Sequence, residues 1–136
     1  MSVNVTLSFM GRTEEAVRYY CSEIDAELTY LVRFRDAEGQ PEMPEAMADK
    51  IFHATFQIGG TAVMASDVGY EVGCDGPDFA GFSLAYRVKD AELAQRYFSA
   101  LEKEGHVIMP LSETPFASRY GVVVDRFGVS WKIIAE

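Results

Sequence analysis

Three side chains capable of acid–base or hydrogen-bonding chemistry alternate along residues 50–58. His53, Thr55 and Gln57 take the odd positions, and Phe52, Ala54, Phe56 and Ile58 the even ones. A period of two places one set on each face of a strand, so imidazole, hydroxyl and amide share a polar face. An imidazole changes charge near neutral pH and can act as a general base or bind an anion; the plainer alternative is a histidine satisfied by a carbonyl. A second set is cationic: Arg87 alternates with Ser83 and Ala85 in 81–88, and Lys132 lies in 129–135. Two cations turned into one hollow would favour an anionic small molecule, whereas cations snorkelling at a sheet edge would simply stay in water. An inward Lys132 needs water or an acid such as Asp67. Phe116, Tyr120 and Trp131 form an aromatic wall either as core or as pocket lining. Asp125-Arg-Phe-Gly128 reads as a hairpin turn capped by Asp125, with Gly128 at positive φ. His106, just past a helix end, reads as a surface partner of the helix dipole.

These residues need elements to hold them. Residues 3–10 alternate as a strand, and Thr13 reads as the N-cap of a helix over 13–24 with Glu14 and Glu15 in its first turn. A strand over 27–35 carries Leu28, Tyr30, Val32 and Phe34 on one side, followed by a polar loop over 36–49 with one helical turn. Strands 50–58 and 61–66 flank Gly59-Gly60 as a hairpin, and a Gly- and Asp-rich loop fills 67–79. Then the order recurs. A strand spans 81–88, with Phe82, Leu84, Tyr86 and Val88 as its helix-packing face, and Asp90 caps a helix over 91–104 that Gly105 stops. A short strand covers 106–109, and 119–124 and 129–135 close a last hairpin. Offset by 78 residues, Glu14 falls on Glu92, Ala16 on Ala94, Arg18 on Arg96, Tyr19 on Tyr97 and Tyr20 on Phe98, and the first strands align too. The reading is an α+β fold made by internal duplication, strand–helix–strand–strand–strand twice.

The 136 residues suit one domain, 1–136, built of modules 1–68 and 79–136. With 49% hydrophobic and 24% charged residues the chain is neither disordered nor fibrous. Twelve cations against twenty-one acids leave a net charge of −9, which argues against nucleic acid and anionic membrane surfaces as partners. No apolar run reaches the ~18 residues that span a bilayer, and the first residues lack the pattern of a secretion signal. Cys21 and Cys74 form no metal or disulfide motif and read as one buried and one loop thiol of a reducing cytoplasm.

Three segments resemble the vicinal-oxygen-chelate (glyoxalase/bleomycin-resistance) superfamily, in its PhnB-like branch. They are Leu7-Ser-Phe-Met-Gly-Arg-Thr-Glu-Glu-Ala16 with Tyr19-Tyr20, His53-Ala-Thr-Phe-Gln-Ile-Gly-Gly60 with Met64-Ala-Ser-Asp67, and the most specific, Tyr120-Gly-Val-Val-Val-Asp-Arg-Phe-Gly-Val-Ser-Trp131. Two departures stand out: Ile24-Asp25-Ala26 replaces the branch's usual Phe-Gly-Gly, and Phe116 stands where Trp is common. The resemblance implies two βαβββ modules with mixed sheets curled into an open cup, helices outside, in a C2 homodimer. His53, Thr55, Gln57, Ser83, Ala85 and Arg87 would then look into the cup.

Metal-dependent members put a His or Glu on the first and last strand of each module. The matching positions here are Val5, Met64 or Ala65, Ser83 and Lys132, which give no donor set for zinc, nickel or manganese. His53, Asp67 and Glu113 could converge as replacement ligands, but no local spacing supports them. The expected function is therefore non-metal small-molecule binding without a cofactor, with Thr55, Gln57, Asp67, Ser83, Arg87, Phe116, Tyr120, Trp131 and Lys132 as binding residues. The alternative is an enzyme acting on a vicinal-oxygen substrate, with His53 as base or with replacement metal ligands; a third reading is a paired module serving association only. The methyltransferase label of some relatives finds no Gly-rich nucleotide turn after a parallel strand, because Ile58-Gly-Gly-Thr61 is a hairpin connection. A phosphonate would require Arg87, Lys132 or a helix N-terminus to face the pocket.

Overall fold

Each half of the chain builds a four-stranded mixed sheet against one amphipathic helix, in a computed structural model that describes residues 1–39, 44–73 and 75–136. The two compact units are Met1–Pro77 and Asp78–Glu136. The first contains β1 (Thr6–Ser8), α1 (Thr13–Glu23), β2 (Glu27–Arg33), a 3-10 turn at Phe34–Asp36, α2 (Glu45–Ala48), β3 (Ile51–Ile58) and β4 (Thr61–Ser66). The second contains β5 (Leu84–Val88), α3 (Ala91–Glu102), β6 (His106–Thr114), β7 (Ala117–Val124) and β8 (Ser130–Ala135). The sheet orders are β1-β4-β3-β2 and β5-β8-β7-β6, so the same topology occurs twice. In each, the first strand runs parallel to the last and the other pairs are antiparallel. Gly59 and Gly60, at φ 55° and 82°, make the two-residue hairpin turn between β3 and β4.

Alternation decides which face each helix covers. Ala16, Val17 and Tyr20 of α1 are buried, and the Tyr20 ring lies 5.8 Å from Phe56 and 6.1 Å from Phe9. Ala54, Phe56, Ile58, Val63, Ala65 and Leu7 therefore form the helix side of the first sheet. In the second unit Tyr86 stacks on Tyr97 of α3 at 5.1 Å, and Trp131, Ile133, Val123 and Gly121 face the helix. A Cβ on Gly121 would come within 2.7 Å of the Phe98 ring and 2.9 Å of the Leu111 backbone, so glycine lets α3 settle on β7. Each large apolar side chain buried this way contributes roughly 1.5–3 kcal/mol.

Several expectations need correction. The first strand is only Thr6–Ser8, and the N-cap of α1 is Arg12, with no side-chain cap of its own. Thr13 instead begins the helix, and its hydroxyl donates to Asp67 beyond the end of β4. Leu28 and Tyr30 do not share a face: a bulge between them pairs Leu28 with Phe56 and Tyr30 with Thr55. Strand β6 runs nine residues, to Thr114; the sequence puts Pro110 inside it, which an irregular edge strand tolerates. Phe82 precedes β5 and is exposed. The offset of 78 holds for the helices but slips in the strands, since it would lay buried Leu7 on exposed Ala85. The branch's usual glycine after the first helix is replaced by Asp25 at φ 59°, a left-handed position that glycine favours. Cys21 is a half-buried free thiol; Cys74 and residues 40–43 of the expected loop lie outside the described residues. Among the described residues no helix is long and apolar enough to cross a membrane.

Candidate functional site

Each sheet has an open face, the one turned away from its helix. In the first unit the pairing lays out rows across it: Val32 opposite His53; Tyr30 opposite Thr55, Met64 and Thr6; Glu27 opposite Gln57 and Ala62. His53, Thr55 and Gln57 are half-buried on this face, as their alternation implies. His53 Nε2 lies 3.1 Å from Thr55 Oγ1, which fixes the ring against the strand. The Tyr30 ring, 55% exposed, sits 5.8 Å from the imidazole. The sequence does not single out Tyr30, because the bulge that turns it to this face is invisible in a period-two reading.

The second open face is aligned in the same way. Val122, Lys132 and Ala85 form one row, and Tyr120, Ile134 and Arg87 the next. Ser83 and Ser130 join their hydroxyls at 2.7 Å; Ser130 is a residue the sequence could have offered, since it alternates with Lys132. Arg87 donates to Glu136 at 2.8 Å. Lys132 is exposed, with no hydrogen-bond or ion-pair partner among the described residues. Phe116, 69% exposed, meets Tyr120 edge-on at 5.2 Å.

Two sequence candidates lie in the interior. Asp67 is 1% exposed, and its Oδ1 accepts from the backbone N–H of Gly11 (2.9 Å) and of Thr13 (3.1 Å) and from the Thr13 hydroxyl (2.6 Å). Its Oδ2 accepts from Ile51 N–H at 2.9 Å. Asp67 thus anchors the α1 N-terminus to β3, with both of its oxygens engaged inside its own unit. Trp131, 1% exposed, donates its indole N–H to Asp125 Oδ2 at 2.9 Å, while Asp125 Oδ1 accepts from Phe127 and Val129 N–H. Trp131 is core, and Asp125 holds the turn as the sequence suggested.

A pair with clearly perturbed electrostatics lies elsewhere, between α1 and β2. Arg33 of β2 grips Glu14 of α1 in a two-pronged bridge of 2.7 and 3.1 Å. That hydrogen bonding, partly opposed by burial and helped by Arg18, lowers the Glu14 pKa to about 2 and raises that of Arg33. A shallow hollow of about 550 Å³ beside it is lined by Glu14, Glu15, Arg12, Arg18, Lys50 and Gly11. Glu14, Glu15, Arg12 and Arg18 are engaged with one another or with Arg33, and the Lys50 ammonium donates to the Gly11 carbonyl, so the hollow reads as an ion-paired helix flank.

At the positions that metal-dependent relatives use and at the N-termini of α1 and α3, the side chains present do not suit a divalent cation or a nucleotide. Leu7 points to the helix, so the residue of β1 that pairs with Met64 on the open face is Thr6, not Val5, with its hydroxyl 3.6 Å from the Met64 sulfur. Hydroxyls, a thioether and an ammonium do not make a site for a divalent cation. Among the described residues no three His, Cys, Asp or Glu gather as a metal-holding group. For a methyl-donor nucleotide the natural anchor is a helix N-terminus after a parallel strand. At α1 the Gly11 and Thr13 N–H groups are already taken by Asp67, and a Cβ on Gly11 would meet the Tyr70 ring at 2.9 Å. At α3 the Asp90 side chain accepts from Leu93 N–H.

A pair of βαβββ units with four-stranded mixed sheets is the architecture of the glyoxalase/bleomycin resistance protein/dioxygenase superfamily. A superfamily structure from Sphaerobacter thermophilus shares this fold at 15% identity and a TM-score of 0.58, covering 100% of this chain and 98% of that one. A family model described as 3-demethylubiquinone-9 3-methyltransferase matches residues 1–134, and the chain belongs to this family, the PhnB-like branch of the superfamily. Protein YjdN of Escherichia coli (strain K12) is 31% identical over 141 residues, covering 98% of this chain and 94% of that protein. The structure of PA1353 from Pseudomonas aeruginosa is 33% identical with a TM-score of 0.83, over 100% of this chain and 98% of that one. The PhnB protein of Bacillus cereus is 27% identical with a TM-score of 0.79, over the whole of both chains.

Proposed function

We propose that this protein binds a small molecule on the open faces of its sheets without using a metal ion, and works as a homodimer. The observation that carries the reading is the polar row of His53, Thr55 and Gln57 beside exposed Tyr30, on a sheet whose other face is filled by α1. Donors, acceptors and an aromatic face on an otherwise apolar strand suit recognition of a planar polar ligand. The donor chemistry of Thr6, Met64, Ser83 and Lys132 favours a direct hold on the ligand over one through a cation. Exposed Ile108 and Met109 on β6 support burial against a second copy.

The test is a thermal-shift screen of aromatic carboxylates, catechols and 2-oxo compounds on chelator-treated protein, repeated on His53→Ala. At least one class is expected to raise Tm equally with and without chelator, and less in the variant. Shifts that vanish with chelator, or none at millimolar ligand, would overturn the proposal.

A further inference from the structure

We infer that Lys132 anchors a single carboxylate, and that the ligand on the second open face is a monoanion with an apolar or aromatic body. The inference rests on the metal-free reading above and narrows it to one charge class. Strand β8 lies between β5 and β7, so Lys132 occupies the interior of its sheet, and its cross-strand neighbours are the aliphatic Ala85 and Val122. With no acid opposite it and its side chain exposed, Lys132 keeps its ammonium open to an anion from solution, in a chain where acids outnumber cations by twenty-one to twelve. The neighbouring cation shows the contrast, because Arg87 has its acid, Glu136, at 2.8 Å. Lys132 has none among the described residues.

The surroundings say what sort of anion would complete it. Ser130 lies two residues back along the strand, roughly 7 Å away. Its hydroxyl and that of Ser83 are 2.7 Å apart, so one of the two hydrogens is used between them and the other is left to donate outward. On the other flank Tyr120, diagonal to Lys132, offers with Phe116 an aromatic edge. One ammonium and one spare hydroxyl donor match a carboxylate; a phosphate or phosphonate dianion would call for a second unmatched cation. The aliphatic neighbours and the aromatic pair match an apolar body.

Benzoate is the probe, benzamide its neutral isostere and inorganic phosphate the dianion, each titrated into the full chain and followed by amide NMR. Benzoate is expected to shift the amides of Ala85, Val122 and Lys132 along one saturating curve. Lys132→Met should weaken it at least tenfold, while Lys103→Met, which removes an equal charge from the end of α3, should leave it within twofold; benzamide should bind at least tenfold more weakly. Lys132 is exposed, so the variant should keep the wild-type amide dispersion. The inference is overturned if benzoate fails to titrate these amides, binds Lys132→Met as it binds wild type, is matched by benzamide, or is outbid at this face by phosphate. Ligand binding that survives chelator but ignores Lys132→Met sinks this inference alone, whereas binding that demands added metal sinks the proposed function itself.

Discussion

Asp67 and Asp125 show how one carboxylate can be read two ways from the same letters. Each is interior, at 1% and 3% exposure, and each spends its oxygens on backbone N–H groups and one side-chain donor. Phe127, Val129 and Trp131 lie within six residues of Asp125, so the turn was legible in Asp125-Arg-Phe-Gly128. Two of the Asp67 partners lie more than fifty residues away, at Gly11 and Thr13, and no local pattern announces them. Asp67→Ala would strand four donors and is expected to cost about 3–5 kcal/mol in urea unfolding; a loss under ~1 kcal/mol would contradict the anchoring role. Asp125→Ala should cost about 2–3 kcal/mol and, because Trp131 is the chain's single tryptophan, change its fluorescence in the folded state. An unchanged emission spectrum would count against the indole–carboxylate contact.

The strands and helices were legible wherever periodicity was regular, as in β3, β4 and α3, and obscured wherever a single residue was added. One bulge in β2 turned Tyr30 toward His53, and one residue of slippage separated the strand register of the two units from their helix register. Close packing of elements yields its own test: Gly121→Ala should push α3 off β7 and destabilise by about 1–3 kcal/mol, measured by thermal or urea unfolding. The Glu14–Arg33 bridge ties α1 to β2 and makes stability depend on pH. A carboxylate held near 2 against an ordinary 4.5 contributes above 4.5, and its contribution fades as pH falls from 4.5 toward 2. Because a third of the Glu14 side chain remains in water, the amount is about 1 kcal/mol. Glu14→Gln should remove that increment at pH 7 and flatten the stability curve over this window; an unaltered acid limb would contradict the assignment.

At the scale of the whole molecule, duplication organised the reading: one topology used twice supplied both open faces before any side chain was placed. Charge entered less directly, since a net −9 said nothing of a lysine set among aliphatic neighbours. Sedimentation equilibrium should give twice the protomer mass, with Ile108→Asp and Met109→Asp together shifting the chain toward monomer; a wild-type monomer at micromolar concentration would oppose the homodimer. The most direct test of metal-free recognition is a calorimetric titration of benzoate into chelator-stripped protein, repeated after zinc, nickel or iron(II) is restored. The same Kd in every case is expected. Heat that develops only once a metal ion has been returned would contradict it.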